Sequence, residues 1–304
     1  MICTVTLNPA VDQTLQFDES MEPDTVLRAT DARFDAGGKG INVAQFCTAL
    51  GQRCLATGIL GGFTGQFIRD RLRDDGIDCA FADAGGPTRL NTTAVANSEE
   101  YKLNHDGPAA GEATVAAVAD VVRDADPDRV VVGGSLPPGA TTDAVDAIAA
   151  AGDWDTLVDM DGEYLRELDA QYALCKPNRE ELAAATGADV STIEGCARAA
   201  GDFRKQGFDR VLASLGGDGA VLVTADTSLY AEPLDAEVVD TVGAGDALLS
   251  GAVAAWADGS DDVTALKTGV AVATRLVAQA GTASPDLDGI TEARDRVTVR
   301  ELDH

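Results

Sequence analysis

The chain has 304 residues, and 51 acidic against 23 basic side chains give it a net charge of −28. Nucleic-acid phosphates and anionic membranes repel such a chain, which excludes both as partners. Its 45% hydrophobic content is that of a globular protein. It contains no apolar run of the ~18 residues that a membrane span requires, and its first residues lack a signal-peptide pattern. We therefore expect a cytoplasmic protein.

The acidic residues are spread along the chain rather than gathered in a tail. We interpret this as the surface of a protein from a high-salt, halophilic cytoplasm, where salt screens the self-repulsion. An ordinary acidic protein is the alternative. Six cysteines without a C-x-x-C motif indicate reduced core thiols, and two histidines, His105 and His304, are too few for a zinc site.

Apolar patterning predicts strands that alternate with helices of about 8–18 residues. In chain order we expect a strand at 2–7, a helix at 41–50, a strand at 53–60, a helix at 64–75, half-buried strands at 88–97 and 101–104, a helix at 113–125, a strand at 129–132, a helix at 142–151, strands at 156–159 and 172–176, helices at 179–186 and 191–206, strands at 210–214 and 219–224, and helices at 244–257 and 263–280.

This alternation predicts an α/β fold, with a mostly parallel sheet covered by helices on both faces. β-rich segments near 12–35 and 88–105 interrupt it and are expected to form a small extra sheet, or lid. No internal repeat or low-complexity linker divides the chain. We therefore expect a single domain over 1–304 with the lid appended.

Ligands of such sheets bind beyond the carboxyl ends of the strands. The chain has neither G-x-x-x-x-G-K-[ST] nor G-x-G-x-x-G, so neither a P-loop nor the usual dinucleotide fingerprint is supported. The segment 240–246, DTVGAGD, precedes an apolar helix. Its small residues can expose N–H groups to an anion at a helix N-terminus. Asp246 would repel that anion, so it is either a helix cap or a base that takes a proton from an attacking hydroxyl.

The segment 240–247, DTVGAGDA, resembles the C-terminal signature of the ribokinase-like (PfkB) sugar kinases, and GGKGINVA at 37–44 resembles the N-terminal one. The motifs occur in the family's order, one near each end, so the resemblance covers essentially the whole chain. It implies a ribokinase-like three-layer sandwich and an ATP-dependent, Mg²⁺-requiring sugar kinase. By resemblance, Asp246 is the catalytic base, and the N–H groups of Gly243, Ala244 and Gly245 hold the transferring phosphoryl group.

Two further segments resemble nucleotide-binding parts of the family. KPNREE at 176–181 implies that Asn178 and Glu181 organise Mg²⁺ and phosphates, although the same pair fits a helix capping box. SLGGDG at 214–219 resembles the nucleotide loop, although it also fits a hairpin turn. The nucleotide-binding residues expected by resemblance are Lys176, Asn178, Ser214, Gly216, Gly219 and Thr241, and the expected metal residue is Glu181.

NPAVD at 8–12 resembles the entry to the family's sugar site, although an Asp after a strand is also typical of a turn. This segment and TRLN at 88–91 resemble the branch that phosphorylates ketohexose phosphates. A phosphorylated acceptor needs cations, which Lys39 and Arg89 can supply, although Arg89 can also be a surface cation. The substrate-binding residues expected are Asp12, Gly38, Lys39, Asn42, Arg89, Asn91 and Ser135.

One departure affects the acceptor. The branch often has a lysine where this chain has Thr93. The expected reaction is conversion of fructose 1-phosphate to fructose 1,6-bisphosphate. Fructose 6-phosphate, tagatose 6-phosphate and free fructose remain alternative acceptors, and a non-catalytic sugar or nucleotide sensor is the competing class. The family's lids often pair, so a homodimer through the lid is expected.

Overall fold

The computed structural model describes residues 1–97, 99–279 and 286–302. Its elements in chain order are β1 Ile2–Thr6, β2 Ala10–Phe17, β3 Asp31–Gly37, α1 Lys39–Ala49, β4 Cys54–Leu60, α2 Gly62–Asp74, β5 Asp78–Asp83, β6 Arg89–Ala96, β7 Glu99–Leu103, α3 Glu112–Ala125, β8 Arg129–Gly133, α4 Asp143–Ala149, β9 Asp155–Asp159, α5 Gly162–Glu167, β10 Tyr172–Cys175, α6 Arg179–Thr186, α7 Ile193–Arg204, β11 Phe208–Ser214, β12 Ala220–Val223, β13 Ser228–Ala231, α8 Ala244–Ala257, α9 Asp262–Val277, α10 Ile290–Arg296 and β14 Val299–Glu301.

Within those ranges, ten strands form one sheet in the order β14-β13-β12-β11-β10-β9-β8-β1-β4-β5. Every pair from β5 to β11 is parallel. The strands from β11 to β14 are antiparallel. The predicted mostly parallel sheet is therefore confirmed, and its carboxyl-terminal edge is where the loops after β1, β8 and β9 meet.

Helices cover both faces of this sheet, because successive strand residues point to opposite sides. On β8, Val130 and Val132 pack in a cluster with α3, α4 and α7, whereas Val131 packs in a second cluster with α1, α8 and α9. Both clusters are buried, and together they form the two interfaces of a three-layer α/β sandwich.

A second sheet of four strands has the order β3-β2-β6-β7 among the described residues. β2 pairs antiparallel with β3 and parallel with β6, and β6 pairs antiparallel with β7. These strands fall in the two segments for which a small sheet is predicted. We call this the small sheet.

Several elements were not predicted. These are β5, β13, β14, α5 and α10, all of which have seven residues or fewer, too few for a clear apolar period. Predicted boundaries are close elsewhere. For example, the helix predicted at 191–206 spans Ile193–Arg204. The predicted end of the last long helix at Ala280 lies outside the described residues, as does His304, and α9 ends at Val277.

All six cysteines are free thiols, and all but Cys79 are buried, as expected of reduced core residues. Within the described ranges, the helices are all too short or too polar to cross a membrane. No cluster of three or more His, Cys, Asp or Glu side chains suited to a metal occurs in the same ranges.

Candidate active site

The N-terminus of α8 follows a left-handed residue, Gly243, whose φ is 78°. This conformation favours glycine, and it turns the chain into the helix. The N–H of Ala244 donates to the Thr241 carbonyl across 3.3 Å, so it is not free as the resemblance implies. The N–H groups of Gly243, Gly245 and Asp246 have no acceptor within the described part of the chain. The helix therefore presents donors and its positive dipole end at this point.

Asp246 lies in the first turn of α8 and is only 6% exposed. Its Oδ2 accepts a hydrogen bond of 2.7 Å from Nδ2 of Asn42, which lies on α1. Burial, together with the negative charge of Asp159, raises the pKa of Asp246 to about 6, against the opposing effects of Asn42 and two lysines. A carboxyl group with such a pKa is a carboxylate at neutral pH and a stronger base than an ordinary aspartate.

Asp159 is completely buried at the carboxyl end of β9 and sits between two lysines. Lys39 Nζ lies 2.7 Å from its Oδ1, and Lys176 Nζ lies 3.2 Å from its Oδ2. Burial lowers the pKa of Lys39, but the charge of Asp159 and its hydrogen bond raise it by more. The pKa of Lys39 is therefore above its ordinary value. Lys39 therefore carries its charge beside Asp246. Asp159 is not among the site residues predicted from the sequence. A charged residue that ends an otherwise apolar buried strand was the available signal.

Lys176 follows β10 and is 3% exposed. A Cβ atom at Gly245 would lie 3.1 Å from its Nζ, so the ammonium group lies against the first turn of α8. The absence of a side chain at residue 245 leaves room for this approach. A cation and free N–H groups are thus combined at one helix end, which is an environment suited to a phosphate group.

The predicted capping box at the start of α6 is present. Asn178 Oδ1 accepts from the Glu181 N–H across 2.8 Å, and Glu181 Oε2 accepts from the Asn178 N–H across 2.7 Å. Burial raises the pKa of Glu181, and the charges of Lys39 and Lys176 oppose the rise. Glu181 therefore faces the same lysine cluster as Asp246. Its Oε1 makes no hydrogen bond within the described part of the chain.

The loop between β11 and β12 is the predicted hairpin turn, because Ser214 pairs with Ala220. Residues 216–218 form one 3-10 turn. A Cβ atom at Gly219 would lie 2.2 Å from the Ala231 carbonyl oxygen, so only glycine fits there. Ser214 also forms an isolated bridge with Asn178, which places this hairpin beside the capping box.

Asp12 lies within β2 of the small sheet and not in a turn. Its Oδ1 accepts from Asn91 Nδ2 across 3.0 Å, and burial raises its pKa. A Cβ atom at Gly37 would lie 1.9 Å from Asp12 Oδ2, so this glycine makes room for the carboxylate. Gly38, with a φ of 123°, then caps α1, which carries Asn42. The two predicted sugar-site segments therefore meet.

Arg89 begins β6 and forms hydrogen bonds with Asn8, which follows β1. Its Nε and Nη2 donate to the Asn8 carbonyl oxygen across 3.2 and 3.0 Å, and Nη2 also lies 3.3 Å from Ser135 Oγ. Asn8 Nδ2 donates to the same hydroxyl across 3.2 Å. The structure thus brings Arg89 and Ser135 together. Lys39 pairs with Asp159 instead, and so belongs to the cluster around Asp246. Asn8 is not among the site residues predicted from the sequence, although it precedes a proline at a strand end.

Thr93, where the resemblance implies a lysine, lies on the same face of the small sheet as Asn91, since the two are two residues apart on β6. Its partner on β7 is Lys102. Lys102 is exposed and lies 3.9 Å from Glu100. A cation is therefore present on the neighbouring strand at this register position.

Comparison with known proteins agrees with this geometry. The model of the pfkB family carbohydrate kinases matches residues 5–288. A 1-phosphofructokinase of Haloferax volcanii is 53% identical over 98% of both chains. A D-tagatose-1-phosphate kinase of Bacillus licheniformis is 33% identical over 82% of this chain and 84% of its own.

Among solved structures, the tetrameric inhibited form of phosphofructokinase-2 from Escherichia coli superposes with a TM-score of 0.88. It is 27% identical and covers 97% of this chain and 99% of its own. The family match spans nearly the whole sequence, and the folds agree over the same length. The chain belongs to the pfkB family of carbohydrate kinases.

Proposed function

We propose that this protein transfers the γ-phosphoryl group of ATP to the C6 hydroxyl of fructose 1-phosphate, which forms fructose 1,6-bisphosphate and ADP. The observation that carries the proposal is the buried Asp246 carboxylate, held by Asn42 beside the unpaired N–H groups of α8. The named activities of the relatives, above all that of the Haloferax volcanii protein, support the choice of acceptor.

Asp246 acts as the base in this mechanism. As the acceptor oxygen attacks the γ-phosphorus, the proton of its hydroxyl passes to Asp246 and the bond from phosphorus to the β,γ-bridging oxygen breaks. A pKa of about 6 suits this role, because the group is ionised at neutral pH and still accepts a proton readily. Asn42 holds Oδ2 and leaves Oδ1 for the acceptor.

The N-terminus of α8 and Lys176 stabilise the negative charge that develops on the phosphoryl oxygens. Gly243 and Gly245 offer N–H groups, Ala244 offers its own once the long bond to Thr241 opens, and Lys176 lies against the same turn. Positioned dipoles and cations of this kind supply most of the acceleration in phosphoryl transfer.

Mg²⁺ fits the residues present. Magnesium usually keeps several waters and binds one or two carboxylates together with substrate phosphates, not a closed protein cage. Glu181 has one carboxylate oxygen without a partner in the described chain and lies near the lysine cluster. It would hold the ion, largely through water, and the ion would neutralise phosphate charge.

The nucleotide would lie along the carboxyl edge of the large sheet, between the hairpin at 214–219 and α6. Asn178 and Ser214 are bridged there, and the glycines of the hairpin allow close approach of the base and ribose. Thr241 is exposed at the start of the α8 turn. Lys176, which pairs with Asp159, would lie at the phosphate end of the nucleotide.

The acceptor would lie between the small sheet and α1. Asp12 and Asn91 provide hydrogen-bonding groups for sugar hydroxyls, Gly38 lets the chain approach, and Arg89 with Ser135 would bind the 1-phosphate. The small sheet would close over the sugar as a lid appended to a single domain that spans 1–304. Closure excludes water and limits wasteful hydrolysis of ATP.

The small sheet also offers a surface to a second copy of the chain. Phe34, Tyr101 and Leu103 share one of its faces and are 43%, 37% and 57% exposed. That face is opposite to Asp12. A homodimer through these residues should become monomeric in a Leu103→Asp variant, as measured by light scattering. A wild-type monomer would contradict it.

The net charge of −28 supports a halophilic, cytoplasmic enzyme. Its free energy of unfolding should then fall steeply as KCl is removed, since the self-repulsion is no longer screened. Full stability without salt, measured by urea unfolding, would contradict this.

The test of the activity is ADP release at high KCl with four acceptors side by side: fructose 1-phosphate, fructose 6-phosphate, tagatose 6-phosphate and fructose. Fructose 1-phosphate should give the highest kcat/KM. A higher value for another ketose would move the assignment to that acceptor. ADP release that no acceptor stimulates would instead favour a sugar or nucleotide sensor.

A further inference from the structure

A cavity of about 420 Å³ lies beside the pair Arg89 and Ser135. Of the described residues that line it, Arg89 is the one cation and Asp106 the one anion. A pocket for a phosphate dianion is expected to carry excess positive charge. This one is close to neutral, so the acidic residue needs an explanation.

Asp106 is fixed in place by its backbone. Asn8 Nδ2 donates to the Asp106 carbonyl oxygen across 3.1 Å. At the next residue, Gly107, φ is 90°, and a Cβ atom there would lie 2.4 Å from Asn8 Oδ1. The loop therefore runs directly against Asn8. The same Asn8 holds Arg89 through its own carbonyl group. One residue thus holds the guanidinium of Arg89 and the backbone that carries Asp106, whose side chain is exposed.

The two charges interact without a direct bond. Burial lowers the pKa of Arg89, and the charge of Asp12 and then that of Asp106 counteract part of this effect. No ion pair of 4.0 Å or less joins them among the described residues, and Nη1 of Arg89 makes no hydrogen bond there either. Arg89 therefore keeps a donor group for a ligand.

We propose that Asp106 is a specificity-determining residue, whose carboxylate offsets the charge of Arg89 and weakens the preference of the pocket for a phosphorylated over a free ketose. The inference rests on the proposed function, which places the acceptor phosphate at Arg89 and Ser135. A phosphate dianion in the cavity is attracted by Arg89 and repelled by Asp106, whereas an uncharged acceptor is affected little by either.

The repulsion depends on salt. The Debye length is about 10 Å at 0.1 M salt and about 3 Å at 1 M. Asp106 should therefore weaken phosphate binding most at low salt and hardly at all in concentrated KCl. Removal of its charge should also remove this part of the salt dependence.

The test compares Asp106→Asn with the wild type at 3 M KCl and at 0.1 M KCl with sucrose, an uncharged osmolyte that favours the folded state without screening charges. Asn keeps the shape and removes the charge. At low salt, KM for fructose 1-phosphate should fall about five-fold, because a like charge that repels the phosphate has been removed. KM for ATP should change less than two-fold. At 3 M KCl the two proteins should differ less than two-fold. Asp106→Glu, which keeps the charge, should stay near the wild type.

A matched control changes the net charge equally elsewhere. Asp209 is exposed at the start of β11. Asp209→Asn should leave KM for fructose 1-phosphate at the wild-type value. An equal fall in both variants would show that total charge, and not Asp106, is responsible, and this would overturn the inference.

Binding of fructose 1-phosphate in the absence of ATP, measured by calorimetry, separates this inference from the activity. Turnover with an unchanged or higher KM in Asp106→Asn overturns the inference and leaves the kinase assignment standing. Binding without turnover removes the kinase assignment. The Kd values of the wild type and of Asp106→Asn then decide the role of Asp106: a lower Kd in the variant supports it, and equal values overturn it. If the wild type binds no fructose 1-phosphate at either salt concentration, the inference falls together with its premise.

Discussion

Asn42 donates a hydrogen bond of 2.7 Å to Asp246 although 204 residues separate them in the chain. α1 and α8 pack side by side on one face of the large sheet, and this brings the two signature segments together. The Oδ1 atom of Asn42 is buried without a partner in the described structure. One signature therefore orients the carboxylate that the other provides.

The first prediction concerns the base itself. Asp246→Asn should lower kcat with fructose 1-phosphate by about 10²-fold or more, because the amide cannot take the proton of the acceptor. ATP affinity should be nearly intact, since the N–H groups of the helix remain. Calorimetric titration with ATP and an ADP-release assay measure the two quantities. Near-normal turnover would remove Asp246 from this role.

The pH dependence follows from the raised pKa of Asp246. The base must be unprotonated, so kcat/KM should fall as the pH drops below about 6. The hydrogen bond from Asn42 favours the charged form. Asn42→Ala should therefore raise the pKa of Asp246 further. The acidic limb of the pH profile, which is the fall of kcat/KM at low pH, should then move to higher pH.

A control for this shift lies on the same helix. Gln45 is equally buried on α1, but it bonds to Asp75. Gln45→Ala should leave the acidic limb where it is. An identical limb in the wild type and in Asn42→Ala would show that the hydrogen bond does not control this titration.

Asp159 is predicted to matter for stability as well as for the site. In Asp159→Asn, Lys39 and Lys176 lose their shared counter-charge in a buried place, which should lower the free energy of unfolding by about 3 kcal/mol. Urea unfolding measures this. The acidic limb should also move to lower pH, because the charge of Asp159 raises the pKa of Asp246.

Asp155 provides the comparison on the same strand. It is 61% exposed and pairs with Arg129 at 3.9 Å. Asp155→Asn should change the free energy of unfolding by less than about 0.5 kcal/mol. Equal losses in the two variants would mean that the buried pairs around Asp159 contribute no more than a surface pair.

Arg89 is predicted to act on the acceptor alone. Arg89→Ala should raise KM for fructose 1-phosphate by about 10²-fold, the usual effect of losing a charged hydrogen-bonding partner of a phosphate. KM for ATP should change little. Arg89→Lys should give an intermediate value, since it keeps the charge without the two-pronged geometry. Equal effects on both substrates would contradict the contact.

The alternation of apolar runs determined the layered α/β fold and most element positions from the sequence alone, since strand and helix periods are local properties. Val130 to Val132 illustrate this, with successive residues buried on opposite faces. The glycine-rich segment at 243–245 likewise predicted a helix N-terminus, because tight turns depend on neighbouring residues. The sugar-site entry at 8–12 was predicted from the family resemblance.

Only the tertiary structure decided which side chains meet. The pairing of Lys39 and Lys176 with Asp159, and of Arg89 with Asn8 and Ser135, joins residues that are far apart along the chain. Such contacts depend on strand order and register, which carry no local signal. Burial likewise has to be known before a pKa can be assigned to Asp246, because the energy of a charge depends on its surroundings.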